Sequence, residues 1–411
     1  MRINRIVVLG NKDHGKSTII GSMLIATKSV SEERVKEARR QSKRLGKRFE
    51  PGFILDSFSA EREGGLTIDA SMAQIKYRDS AFELIDVPGH EELIKNMVSG
   101  ASYAKFAILA VSAKRSEGIC PQTKRHVFLA KMLGINNIIV AVNKMDTVGY
   151  SESRFNELKH ELCIFLDRIG IESKNVKFVP ISAYNSDNLA SVSKNIRWHS
   201  GKSLLEEMRI LSKHGNDAAS DGNLRVILQG SMMHGTDSLL IGNVASGTVK
   251  AGSMVRILPI GTASRISTLF VKGQKRRYAN AGENVAIKLD SQVSADLRGA
   301  VVYNYDYKNA NVANHLDALI FMTKKIKVGV SIKFNGIELN GKVKIKTVID
   351  TADGSENGPK HEQPLNAAVV RIELEHGVPA EPFNSSKELG RFVLYQAGKF
   401  SGIGIISSVS K

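Results

Sequence analysis

Cysteine is nearly absent from this sequence. Cys120 and Cys163 are the only two in 411 residues, and both sit in apolar surroundings. That excludes a disulfide framework or a cysteine-built metal cluster and predicts a reducing, cytoplasmic setting. No apolar run reaches the length needed to span a bilayer, so no membrane partner is expected. The first residues enter a strand-like run without the charged and apolar regions of a signal peptide. Helical repeats and low-complexity tracts are also missing. Acidic residues are in deficit: 58 Lys and Arg stand against 41 Asp and Glu, a net charge of +17. Such an excess points to a polyanion such as RNA or to an anionic surface. A merely solvated basic surface is the other reading. Hydrophobic residues make up 42%, ample for packed cores, which excludes a disordered chain. This length suggests about two to four domains.

What is present begins close to the N-terminus. Gly10-Asn11-Lys12-Asp13-His14-Gly15-Lys16-Ser17 fits G-x-x-x-x-G-K-[ST], with the strand-like Ile6–Leu9 before it and a helix start at Thr18–Leu24 after it. In that setting the backbone from Asn11 to Thr18 can curl around a phosphate anion, and the helix N-terminus adds a favourable dipole. Lys16 would reach the β- and γ-phosphates, and Ser17 would hold a magnesium ion.

Three further stretches extend the pattern. Asp86-Val87-Pro88-Gly89 closes the apolar run Ala81–Asp86. Asp86 can hold magnesium through water, and Gly89 can aim its N–H at a γ-phosphate. A loop that touches only the terminal phosphate must relax when that group leaves, which makes an order–disorder switch. Within Glu61–Asp69, Thr67 is placed to close over the magnesium and the γ-phosphate. Asn143-Lys144-Met145-Asp146 follows another hydrophobic strand, with Ser182-Ala183 after the next. The Asp146 carboxylate can accept from both the N1–H and the amino group of guanine, a pair adenine lacks. The Ser182-Ala183 pair fits a backbone N–H contact to the guanine oxygen. Taken in this order and spacing, the stretches predict binding of GTP and GDP with Mg2+.

Apolar runs at Arg5–Leu9, Ala81–Asp86, Phe106–Ser112, Asn137–Asn143 and Val176–Ser182 alternate with helical patterns at Glu91–Met97, Thr123–Leu133 and Glu152–Ile169. That rhythm predicts an α/β domain, doubly wound around a mostly parallel sheet, over residues 1–210, and the phosphate-loop motifs within it make it the expected P-loop GTPase domain. Ser31–Arg48 interrupts it with Arg34, Lys36, Arg39, Arg40, Lys43, Arg44, Lys47 and Arg48, and reads as an exposed basic helix. Residues 211–222 read as a linker, rich in small and polar side chains. Short strands and glycine turns then predict two small antiparallel β-barrels, over 223–310 and 311–411. Trp198 reads as a packing anchor.

These residues together resemble the elongation factor 1-alpha / elongation factor Tu family of translational GTPases. The likeness continues through Asn96–Ser102, Gln122–His126, Ala281–Val285, Arg298-Gly299, Leu389–Phe392 and Gly402–Gly404, and so covers nearly the whole chain. The basic insertion ending in Phe53–Asp56 is similar to the archaeal and eukaryotic form. The resemblance implies a GTPase that is slow until the ribosome stimulates it. It also implies aminoacylated tRNA as a partner, and it admits a guanine-nucleotide exchange factor. His90, directly after Asp86–Gly89, takes the role of orienting the attacking water, with Lys16 and Thr67 completing the catalytic set.

Three departures from the family pattern stand out. Lys12 occupies a position usually held by valine, one side of an apolar gate whose other side is Leu66. Gly64 replaces a longer polar residue. Ser331–Ile349 is shorter than in the tRNA carriers and lacks their histidine-containing stretch. Two other readings therefore stay open: a regulatory GTPase subunit of ATP sulfurylase, and a non-hydrolysing, GTP-gated RNA-binding paralogue.

Overall fold

The computed structural model describes residues 3–44, 46, 49–55, 71–86, 104, 106–135, 137–214, 222–234, 237–291, 293, 297–359 and 364–411. The chain divides into two compact units, residues 1–217 with 351–355, and residues 218–350 with 356–411.

The first unit is built on a six-stranded sheet. Its strands are β1 (Ile3–Gly10), β2 (Ser71–Tyr77), β3 (Ser80–Asp86), β4 (Phe106–Ser112), β5 (Asn137–Asn143) and β6 (Lys177–Pro180). They lie in the order β2-β3-β1-β4-β5-β6. All neighbours are parallel except β2, which runs antiparallel to β3. Strands covered on both faces read as continuous apolar runs, and β4, in the interior of the sheet, is buried at every position. The edge strand β2 shows a different signal. Ala73 and Ile75 face inward while Gln74 and Lys76 face solvent, a two-residue alternation that a search for apolar runs passes over.

The helices are α1 (Lys16–Ala26), α2 (Glu32–Arg44), α3 (Pro121–Met132), α4 (Glu152–Arg168) and α5 (Leu204–His214). Helix α1 is buried throughout Ile19–Leu24. It is covered by the turn at Pro51-Gly52, so close that a Cβ on Gly21 would lie 2.1 Å from the Pro51 carbonyl oxygen. Helix α2 is the expected basic helix. Lys36, Arg39, Arg40, Lys43 and Arg44 are exposed, while Ala38 and Ser42 are buried. Lys47, Arg48 and the helical pattern at Glu91–Met97 lie outside the described residues. Trp198 donates from Nε1 to the Tyr150 carbonyl at 2.8 Å and packs 5.2 Å from the Phe155 ring, as an anchor should. The stretch expected as linker from residue 211 begins in helix. Leu211 packs against the core and Ser212 is buried, so α5 continues to His214; residues 215–221 lie outside the described set.

In the second unit, two closed barrels follow one another. The first uses β7 (Arg225–His234), β8 (Asp237–Ser246), β10 (Met254–Leu258), β11 (Thr262–Val271), β14 (Asn284–Leu289) and β15 (Val301–Asn304), in the order β10-β15-β7-β8-β14-β11. Pairing of β10 with β11 closes it. A short strand, β12 (Gln274–Arg276), hangs from β11 outside the closure, and β13 (Tyr278–Asn280) pairs with β9 (Thr248–Lys250) beside it. The second barrel is formed by β16 (Val312–Met322), β17 (Gly329–Phe334), β18 (Ile337–Ile349), β20 (Ala367–Pro379), β21 (Arg391–Gln396) and β22 (Lys399–Ser410), in the order β17-β21-β22-β16-β20-β18, with the two-residue β19 (Glu356–Asn357) paired to the end of β18. It closes through β17–β18. The Ser331–Ile349 stretch forms this closing hairpin, turning at Asn335-Gly336 with φ of 48° and 85°, a two-residue turn whose twist suits antiparallel strands.

A buried ion pair joins the barrels. Arg225 donates from Nε and Nη2 to the two carboxylate oxygens of Glu381, both at 2.7 Å, and its remaining donors meet Tyr307 and Ser246. A charge taken out of water needs such a full set of partners. Leu258, Val301, Tyr303, Ala310 and Leu389 form a small core around it. The expected architecture, a P-loop α/β domain followed by two antiparallel barrels, is the one found.

Candidate nucleotide site

The sheet delivers the predicted loops to one edge. β1 ends in Gly10, β3 in Asp86 and β5 in Asn143, and these parallel strands share their carboxyl ends. Ligands bind at that edge in open α/β sheets. The loop from Asn11 to Gly15 turns tightly, with the His14 N–H donating to the Asn11 carbonyl at 3.3 Å. Gly15 caps α1 at φ 83°, ψ 32°. A Cβ there would meet the Asn143 amide nitrogen at 2.5 Å, so the position needs glycine for its backbone and for its space.

Lys16 donates from Nζ to the Asn11 carbonyl at 3.2 Å. Burial pushes its ammonium down from the ordinary value, opposed by the Asp86 and Asp13 carboxylates. Ser17 donates from its hydroxyl to Asp86 Oδ2 at 2.9 Å. The other oxygen, Oδ1, is buried with no hydrogen-bond partner among the described residues. Burial pushes the Asp86 carboxyl up, against the Ser17 hydroxyl and Lys16. A buried carboxylate oxygen without a donor is costly unless a cation meets it. Among the described residues no three His, Cys, Asp or Glu side chains converge as a metal cage. One hydroxyl and one carboxylate are instead the sparse protein share that a phosphate-bound magnesium takes.

The base-side loop is equally defined. Asn143 donates from Nδ2 to the His14 carbonyl at 3.0 Å and accepts from the Ala183 N–H at 3.0 Å. It therefore bridges the phosphate loop and the Ser182-Ala183 turn. Of the Ser182-Ala183 pair read as offering an N–H to the guanine oxygen, the Ala183 N–H is given to Asn143 within the protein. Ser182 donates to Asp146 Oδ1 at 2.6 Å, which orients the half-buried carboxylate. Lys144, at φ 63°, pairs with Glu117 at 2.8 Å. Burial would push Glu117 up, but hydrogen bonds from Lys144, Ser112 and Lys114 win and hold it at about 2.

Two partners here, Glu50 and His126, were not singled out as site residues in the sequence. Glu50, at the end of the basic insertion, accepts from the Thr18 hydroxyl at 2.7 Å. His126 accepts the Gly10 N–H at 3.3 Å. His14 is buried against the Ala110 carbonyl at 3.2 Å. Burial lowers its pKa, against that carbonyl and Glu117, which favours the neutral ring. Lys12 is exposed, its N–H turned to the Asn11 side chain at 2.9 Å. Leu66, Thr67, Gly89 and His90 lie outside the described residues.

One expected result follows from the bridge. Asn143→Ala leaves the His14 carbonyl and the Ala183 N–H buried and unpaired, at a cost on the order of 2–4 kcal/mol. Chemical unfolding of the nucleotide-free protein should show this loss. A residue that only touched the base would leave nucleotide-free stability unchanged.

The family model described as "Elongation factor Tu GTP binding domain" matches residues 1–215. A second, "GTP-eEF1A C-terminal domain-like", matches residues 319–407. Elongation factor 1-alpha of Aeropyrum pernix is 32% identical over 98% of this chain and 96% of its own length. This chain belongs to the elongation factor 1-alpha family. It is thus a GTP-binding translational GTPase, built on the family's three-part architecture. Elongation factor 1-alpha of Natronomonas pharaonis is 31% identical over 99% of this chain and 98% of its own length. That of Ignicoccus hospitalis is 32% identical over 98% and 95%. These matches favour the elongation-factor reading over one in sulfate activation. Among the described residues, no helix is long and apolar enough to cross a membrane.

Proposed function

We propose that this chain is a cytoplasmic translation factor that binds GTP and GDP with Mg2+, carries an aminoacylated tRNA to the ribosome, and changes conformation when the γ-phosphate leaves. The observation that carries the reading is the Asn143 bridge, which locks the phosphate loop to the Asp146–Ser182 turn. A site built that way reads a phosphate chain and a base as one ligand.

In this reading the backbone from Asn11 to Thr18 cradles the phosphates. Lys16, half-buried in the loop, gives its charge to the β- and γ-oxygens. Asp146 accepts two hydrogen bonds from guanine, and Asn143 and Lys144 frame the ring. Magnesium, held by Ser17 and Asp86 with Thr67 closing from the other side, would offset phosphate charge. His90 orients the attacking water once the ribosome has docked, so turnover by the factor alone is slow. An exchange factor would assist GDP release. The basic face of α2 supplies an electrostatic surface for RNA phosphates.

Filter binding of labelled aminoacyl-tRNA tests the proposal. Retention is expected with GTP and Mg2+ and not with GDP. Equal retention with both nucleotides would remove the carrier role, because cargo binding would then not depend on the γ-phosphate.

A further inference from the structure

The first barrel carries an arm that its closure does not use. β12 lies outside the six-strand ring, and β11 turns into it through Lys272-Gly273 at φ 50° and 77°. The arm and its exit read Lys272-Gly273-Gln274-Lys275-Arg276-Arg277-Tyr278, four cations in the first six residues. All seven are exposed. Lys250 joins them from the neighbouring ribbon: it lies opposite Tyr278 in the β9–β13 pair, and the Ala251 N–H bonds the Arg277 carbonyl at 3.0 Å. Among the described residues, these five cations make no ion pair. Glu283, on the adjoining turn, accepts from the Asn280 N–H at 2.7 Å.

Unpaired cations along one ribbon repel each other and do nothing for the barrel's stability. One or two charges suffice to block edge-to-edge pairing of a short strand. Five, on the arm that leads into a tyrosine left 59% exposed and on the strand residue opposite it, call for a different account. A free aromatic face among cations is how proteins hold unpaired nucleotides: the ring stacks on a base, and the charges take the flanking phosphates. A duplex offers no free base face to stack on. A membrane surface would call for apolar residues at the tip, where Lys272, Gly273 and Gln274 stand.

We propose that this arm, Lys272–Tyr278 with Lys250, docks single-stranded RNA, stacking a base on Tyr278. The proposal does not depend on the reading of the nucleotide site.

Fluorescence anisotropy on the full chain tests it, with a labelled 12-nucleotide oligouridine and a 12-base-pair RNA duplex over a salt series. Lys275→Ala/Arg276→Ala/Arg277→Ala should flatten the log K against log salt slope for the oligomer by about 2, since three phosphate contacts are lost. Tyr278→Ala should weaken oligomer binding about tenfold and leave the duplex unchanged, while Tyr278→Phe keeps wild-type affinity. GTP affinity should stay constant in all variants. With the wild-type chain, a 4-thiouridine oligomer should photocrosslink within residues 272–278, a readout that does not depend on any variant folding. An unchanged slope in the triple variant would overturn the proposal, as would equal losses on oligomer and duplex in Tyr278→Ala. So would a crosslink confined to other segments. A triple variant that loses phosphatidylserine vesicles but keeps RNA would mark the arm as a lipid contact instead.

Discussion

Replacing Asp146 with asparagine should turn a chain that prefers GTP into one that prefers xanthosine triphosphate. Guanine presents two donors, N1–H and the 2-amino group, to a carboxylate that accepts both. Xanthine keeps the N1–H but puts a carbonyl where the amino group was. Asparagine offers one acceptor and one donor, so it matches xanthine and sets its own N–H against the guanine amino group. The Ser182 hydroxyl, 2.6 Å from Asp146 Oδ1, still finds an acceptor in the variant, so the side chain stays in place. Sites that hydrogen-bond their ligand reject a mismatched one on the order of 10⁴-fold, and that is the scale of the expected reversal. Competition against a fluorescent nucleotide measures it. If the variant still preferred GTP, the base would be bound elsewhere.

The second large effect concerns hydrolysis rather than binding. His90→Ala should leave GTP affinity near wild type and lower ribosome-stimulated turnover on the order of 10²–10⁴-fold, the usual worth of a positioned general acid–base group. His90 follows Asp86–Gly89 directly, and Asp86 is anchored to Ser17 at 2.9 Å, so β3 ends beside the Gly10–Ser17 loop. The histidine touches neither the base nor the cradle in this account, which is why affinity is spared. Single-turnover phosphate release with ribosomes reads the effect. An unchanged rate would take His90 out of the mechanism.

How much of this was legible without coordinates depends on what each residue answers to. The phosphate loop was readable because glycine, lysine and serine are imposed there by the ligand, whatever the neighbours. The barrel strands were readable because alternation encodes a half-buried surface. β2 escaped because a short alternating edge strand resembles polar loop. The end of α5 escaped because Ser212 and His214 look like linker, while Leu211 and Ser212 continue a buried face. The Asn143 bridge could not be read at all: its partners, His14 and Ala183, lie 129 and 40 residues away. Glu50 on Thr18 and Glu381 on Arg225 are hidden for the same reason. Tertiary partners leave no local pattern. Motif chemistry thus names the residues that meet a ligand, and the fold names those that hold them in place.

The central claim is that Gly10–Ser17 and Asn143–Asp146 form one guanine-selective, magnesium-dependent cradle. Equilibrium displacement of a fluorescent GTP from the full chain tests it most directly, using GTP, GDP and ATP as competitors with and without Mg2+. The account predicts displacement by GTP and GDP at low concentrations, by ATP only at roughly 10⁴-fold higher ones, and weaker GTP binding once magnesium is chelated. ATP competing within tenfold of GTP, or no loss of GTP affinity on chelation, would contradict it.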